Sequence, residues 1–280
     1  MSRGPGTRDD IARLLMSVRR GEAASLDQLA VRAHLSRYHL SRLLQQQLGF
    51  PLRDFLAATR VDRGIEVLLD GHQVTRSQLE AGHESASSYH RAFVRHTGLS
   101  PSQFRAQMGA LAAHLMRHQD EVTSALVAVH RTFRPEDHPQ RHPLTLRVEG
   151  AAPRAALFVA LHPEPIVRGE PLLGIAMLGT ARHVVSAIPD GAYYPMVVEV
   201  PRAADVRAYF QMSTNRRQLH REPVTFPLAQ PTTVTLTLRD LLPADPPITL
   251  NLPKLFLDAV SGRVALRSAT QDKRASSPAH

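Results

Sequence analysis

The chain of 280 residues contains no cysteine. That excludes disulfides, thiolate nucleophiles and zinc sites built on cysteine. Lysine is nearly absent: Lys254 and Lys273 are the only two among 34 basic residues. Positive charge is therefore carried by arginine, whose planar fork pairs bidentately with phosphates and guanine edges. No apolar run approaches the roughly 20 residues that cross a bilayer. Met1 to Arg8 lacks the apolar segment of a secretory signal. A cytoplasmic protein with no membrane partner is the expectation. Proline is scarce early on. Only Pro5, Pro51 and Pro101 precede residue 135, and the other eighteen of the 21 follow. Because proline breaks helix interiors, a helical first part is expected to give way to short extended pieces.

The net charge is +9, from 34 bases against 25 acids. Residues 1–108 hold 15 arginines and ten acids, and the remainder 19 bases and 15 acids. The basic excess is spread over both parts. Coding bias also produces arginine-rich chains, so charge alone gives only weak support for a polyanionic partner.

What is present is a repeat. Leu26, Leu29, Ala30, Leu35, Leu40 and Leu44 recur at helical spacing, and Ser36 starts a new helix. Val74, Gly82, Ser85, Tyr89 and Phe93 fall at matching places. The offset is 48 residues before the turn (Leu26 to Val74) and 49 after it (Leu40 to Tyr89, Gly49 to Gly98). One supersecondary unit is used twice, here a helix-turn-helix. Two such units on one face of a duplex reach two successive major-groove segments about 34 Å apart. Caps predict the helices: Asp9 or Asp10 to about Arg19, Ser25 to Ala33, and Ser36 to Leu48 with Gly49 as the stop. Pro51 opens a long connecting helix that Asp70-Gly71 ends. Ser100-Pro101 opens a last one. In the second helix of the first unit, Arg37, Tyr38, Ser41 and Arg42 lie off the leucine face. They are the candidate base and phosphate contacts.

These residues resemble the AraC/XylS family of bacterial transcription regulators. The resemblance rests on Leu26-x-x-Leu29-Ala30, Leu35-Ser36, Leu40-Ser41-Arg42-Leu43-Leu44 and Leu48-Gly49. It continues through Arg60-Val61, Leu68-Leu69, Ser85 to Phe93 and Gly98-Leu99-Ser100-Pro101-x-x-Phe104-Arg105. It covers about residues 10–108. It implies a seven-helix DNA-binding domain with one recognition helix per unit. Carried over by position, Ala86, Ser87, Ser88, His90 and Arg91 form the contact face of the second, and Arg42 serves either a base, a phosphate or an internal pair. Double-stranded DNA is the implied partner. A small-molecule effector, a second copy of the chain and RNA polymerase are the further partners open to such a regulator. No cofactor is implied.

Four residues at three places depart from the family pattern. Ser77-Gln78 stands where Ile-Ala is usual, Gly82-His83 where Gly-Phe is usual, and Gly64 where alanine is usual. Polar residues at packing positions, and a glycine costing about 1 kcal/mol inside a helix, predict a weaker second unit. The first unit is then expected to supply most sequence specificity and the second to grip the backbone.

The domain reading is a reader at 8–108, a linking helix at 109–133, a linker at 134–143, a β-rich domain at 144–262 and a disordered tail at 263–280. The linking helix rests on the stripe Leu111, Leu115, Val122, Leu126 and Val129. Strands are expected at 144–148, 155–161, 184–188, 196–200, 206–211 and 232–238, with Ile188-Pro189-Asp190-Gly191 as a turn. The fold class is thus an all-α double helix-turn-helix followed by an antiparallel β-sandwich or small barrel. His114 and His118, with Glu121 a turn on, have metal-capable spacing, but a solvated helix face explains them better, and no metal site is assigned. No nucleophile elbow, phosphate loop or HExxH motif occurs, and carboxylates are scattered singly. DNA-repair methyltransferases that share this reader need an acceptor cysteine, which is missing. No enzyme is expected. The alternatives are an adaptor with a degenerate second unit, or an activity hidden in the β-rich domain.

Overall fold

A computed structural model describes residues 8–22, 25–139, 142–167 and 169–261. The helical part contains α1 (Arg8–Arg19), α2 (Leu26–Ala33), α3 (Arg37–Leu48), α4 (Leu52–Leu69), α5 (Val74–Glu80), α6 (Ala86–Thr97) and α7 (Pro101–Glu121). Local chemistry sets these ends. The side chains of Ser25, Ser36, Ser85 and Ser100 each accept a bond from the backbone N–H three residues on. Gly49 and Gly98 stop α3 and α6 at φ 79° and 72°, a left-handed conformation that glycine adopts without a Cβ penalty.

The sequence offset reappears in burial. Leu29 and Ser77, 48 apart, are both 0% exposed, while Val31 and Leu79, also 48 apart, are 75% and 71% exposed. Past the turn, Leu40 and Tyr89, then Leu44 and Phe93, point inward at an offset of 49.

The helix after Pro101 ends at Glu121, and Leu126–Arg131 forms a strand, β1. The expected linking helix at 109–133 is therefore half helix and half strand. Leu111 and Leu115 are buried as the stripe predicts, but Leu126 and Val129 pair with Leu178 and Ile175. The segment 134–143 joins β1 to the next strand, so it is a connection inside the β part rather than a linker before it. The other strands are β2 (Leu144–Glu149), β3 (Ala156–His162), β4 (Leu173–Leu178), β5 (Arg182–Val185), β6 (Gly191–Val200), β7 (Arg217–Leu219), β8 (Val224–Phe226) and β9 (Thr232–Thr237). One sheet runs β1-β4-β3-β6-β7, with β8 also on β6, and the other runs β5-β2-β9. All pairs are antiparallel except β2 with β9. One more expectation fails here. Val206–Tyr209 is a 3-10 turn, not a strand. The Ile188-Pro189-Asp190-Gly191 segment lies between β5 and β6 as expected, and it carries the chain from one sheet to the other. A last helix, α8 (Leu252–Val260), starts with Asn251 as cap and Pro253 in its first turn. The tail at 263–280 lies outside the described residues.

Strand alternation gives the larger sheet two buried faces. Leu157, Val159, Ile175, Met177 and Val197 face the smaller sheet, meeting Leu146 and Leu236. Phe158, Ala176, Met196 and Val198 face the helices, in one continuous core with Val61, Ile65, Phe93, Phe104 and Leu115. The helical part thus sits directly on the sheet.

Candidate nucleic-acid interface

The Ser36 cap places Arg37 and Tyr38 in the first turn of α3. Leu40, Leu44 and Leu48 turn inward, which leaves Arg37, Tyr38 and Arg42 exposed and Ser41 half-buried. Tyr38 is 80% exposed, far more than a tyrosine kept for packing. The Arg37 guanidinium pairs with Asp27 of α2 at 2.8 Å, so it is held over the helix-turn-helix turn. Among the described residues Arg42 makes no ion pair, which leaves the internal-pair role without a partner.

In α6 the inward side chains are Tyr89 and Phe93, and Ala86, Ser87, His90 and Arg91 are exposed. Ser88 is half-buried, and its hydroxyl donates to the Ser85 carbonyl at 2.9 Å. That hydroxyl is already used inside the cap. The second face offers one arginine and one histidine among small side chains.

The three departures from the family pattern form one packed cluster. The Ser77 hydroxyl donates to the Gly64 carbonyl at 2.8 Å and lies 2.5 Å from the Tyr89 hydroxyl. A Cβ on Gly64 stands 2.7 Å from that same hydroxyl. The glycine of α4 therefore makes room for a tyrosine, and the serine satisfies its buried hydroxyl. Burial raises the Tyr89 pKa to about 12. The His83 ring lies 5.3 Å from the Tyr89 ring, and Gln78 Nε2 donates to the His83 carbonyl at 3.1 Å. Gly64, Ser77 and Gln78 are each matched by a partner, while the buried His83 Nε2 has no hydrogen bond. Sequence spacing had no way to pair residues 13 and 25 positions apart.

The family described as "Helix-turn-helix domain" matches residues 29–107. Residues 29–107 are a helix-turn-helix domain of the AraC type. The "Bifunctional transcriptional activator/DNA repair enzyme Ada" of Escherichia coli (strain K12) is 34% identical over 104 residues, 37% of this chain and 29% of that protein. The chain spans under a third of the length of this curated relative. The C-terminal domain of AraT, a response regulator from Geobacillus stearothermophilus, is similar at 22% identity over 36% of this chain and 88% of that one, with a TM-score of 0.33.

The helix-turn-helix domain is gripped by the C-terminal part along α4. Asp62, Glu66 and Asp70 follow at i, i+4 and i+8 on one side of that helix. Gln211 Nε2 donates to Glu66 at 3.0 Å, and Arg207 pairs with Asp70. Asp62 is 9% exposed, and the Arg217 side chain from β7 is fully buried. Burial raises the Asp62 pKa to about 7, helped by Glu66 and opposed by Arg19 and Arg217. Burial likewise lowers that of Arg217, to about 10. Further bonds cross at Asp120, which accepts from Arg202 Nε and Nη2 at 2.8 Å each, and at His96 Nδ1 with Thr249 at 2.9 Å. The acidic stripe was legible as a period-four pattern, and sequence reasoning passed over it.

His114 and His118 are 4.5 Å apart as rings, and both contact Phe256 of α8. Burial, with His118 and Arg117 nearby, lowers the His114 pKa. The pair is a packing surface between α7 and α8. No group of three metal-ligating side chains occurs among the described residues, and none of their helices is long and apolar enough to cross a membrane.

Proposed function

We propose that this chain is a sequence-specific transcription regulator that binds double-stranded DNA. The observation that carries it is the repeat in three dimensions. Two equivalent, identically capped helices, α3 and α6, expose Arg42 and Arg91 within an AraC-type domain. In the first helix, Arg37, Tyr38, Ser41 and Arg42 read bases and hold phosphates. In the second, Ala86, Ser87, Ser88, His90 and Arg91 mainly hold the backbone. The lopsided chemistry of the two faces supports that division. One has two arginines and a tyrosine, the other small side chains around one arginine. The relative's printed name joins transcription activation to DNA repair. A cysteine-based transfer is closed to this sequence, which has no cysteine.

The C-terminal part acts on the readers, as an effector sensor or as a dimerisation surface. Its direct hold on α4 supports this, since α4 sets how the two units face each other. RNA polymerase and a second copy belong to the same reading as partners of the bound regulator.

The test is selection of bound sites from random duplexes, followed by gel-shift titration at rising salt. Two half-patterns about 10 base pairs apart are expected. Binding should fall linearly on a log–log salt plot, as counterion release requires. Enrichment of no sequence, or binding that ignores salt, rejects the proposal.

A further inference from the structure

The helix-facing side of the larger sheet is not fully filled. Between it and α8 lies a cavity of about 60 Å³. Its floor is a patch of small residues: Ala128 pairs with Ala176, and Gly174 pairs with both His130 and Ala160. Leu255, Phe256 and Ala259 of α8 form its lid. The walls are apolar with one exception. His130 is 6% exposed, and its Nε2 has no hydrogen-bond partner. A buried polar atom left unpaired costs free energy, so such an atom in a cavity wall points to a missing partner.

We infer that this cavity binds a slender, uncharged aliphatic molecule with a single hydroxyl or carbonyl, which His130 holds. Size argues for a chain rather than a ring, since a dry cavity of about 150 Å³ is what takes benzene. Charge argues for neutrality. Burial lowers the His130 pKa, so the ring faces its guest uncharged. The charged groups around it are Glu170, whose Oε2 is 3.9 Å from Nε2, together with Asp258 and Lys254. A carboxylate guest meets two acids there, and an ammonium guest loses its water shell among apolar walls and faces Lys254, with only Glu170 near to offset the cost.

The position gives the site a consequence. Phe256 lines the cavity and also touches His114 and His118 of α7. Helix α7 closes the second reading unit through Phe104, whose ring is 5.5 Å from that of Phe93. A guest pressing on α8 therefore acts on the helix behind α6. This consequence rests on the regulator reading, and binding itself does not.

The test uses the full chain without DNA, so it stands or falls apart from the gel-shift result. The probes are 1-propanol, propanoate and propylammonium, short enough for a cavity of about 60 Å³. Propanol is expected to raise the melting temperature and to shift the His130 ring ¹⁵N signals saturably, with both ions weaker. Ala176→Leu fills the floor and should abolish the effect. If that variant does not fold, Ala259→Leu fills the space from the lid and decides the matter. His130→Leu should weaken propanol about fivefold, the loss of one hydrogen bond. No propanol binding, binding unchanged in a folded filled variant, or an ion binding as tightly as the alcohol overturns the inference.

Discussion

The two reading units share a backbone plan and differ in what holds them. In the first, Leu29, Leu40 and Leu44 pack with Ile11, Leu15 and Phe55 in a core of their own, which Ile166 alone joins from the C-terminal part as a buried member. In the second, Tyr89 and Phe93 belong to the core that runs on into the larger sheet. The positions of Leu29 and Leu40 are filled by Ser77 and Tyr89 there, so an apolar pair becomes a hydrogen-bonded one. The lesson is a division of labour written in packing. The second unit is anchored to the body of the protein. The first presents its richer contact face from a separate core, with α4 between them.

The sharpest way to probe this arrangement is at its joint. Asp62 lies on α4 between Arg19 of α1 and Arg217 of β7. Its pKa is raised from 3.8 to about 7 in the folded protein. The folded state then keeps a proton that the unfolded chain gives up. The stability it contributes is complete below pH 3.8 and is lost as pH rises through about 7. That gap corresponds to about 4 kcal/mol at most. Asp62→Asn should flatten the fall in unfolding free energy between about pH 4 and 7, measured by urea titration. An unchanged pH slope, or a variant that loses stability chiefly at high pH, means that an ionised Asp62 pairs with the arginines instead.

The next effect separates the units by sterics. Gly64→Ala gains about 1 kcal/mol of helix propensity but sets a methyl 2.7 Å from the Tyr89 hydroxyl and 3.2 Å from its ring. Tyr89 is 1% exposed and has nowhere to swing. A net loss of about 2 kcal/mol is expected. Adding Tyr89→Phe should recover most of it, and a double-mutant cycle checks the coupling. Additive losses would falsify the shared-space account.

Base reading comes after that. Arg42→Ala should cost about 2 kcal/mol and relax preference at one base position. Arg91→Ala should weaken binding evenly across sequences and lower the salt slope by about 1. Competition titrations against single-base variants of a selected site distinguish the two. If Arg91→Ala relaxes base preference more, the units have been assigned the wrong way round.

How far the sequence spoke depends on the range of the cue. The reader was legible because serine caps, stop glycines and leucine spacing act within one or two helical turns. Strand β1 was not: Leu126 and Val129 fit a helical stripe with Leu115 and Val122, and only pairing with Leu178 and Ile175 makes them a strand. The Ser77–Gly64–Tyr89 cluster failed for the same reason, since each residue looks like a defect until its partner is known. Of the nine candidate contact residues, seven are exposed and Ser41 and Ser88 are half-buried. Helix α8 and the stripe Asp62, Glu66, Asp70 carried local signals, an asparagine cap with a following proline and a period of four. Their meaning came only with the neighbouring elements.

The smallest expected effect uses a feature that the units share without change. The backbone N–H of His39 donates to Ser36 Oγ at 3.2 Å, and that of Ser88 donates to Ser85 Oγ at the same distance. Replacing either serine by alanine should cost about 1 kcal/mol of stability. The consequences for DNA should nevertheless differ. Fraying at Ser36 loosens the turn that carries Arg37 and Tyr38, while fraying at Ser85 loosens Ala86 and Ser87, which bring little to a base edge. Ser36→Ala should therefore reduce discrimination between selected and random duplexes, and Ser85→Ala should leave it nearly intact at the same stability loss. The reverse order would mean that α6, despite its small side chains, is the helix that reads.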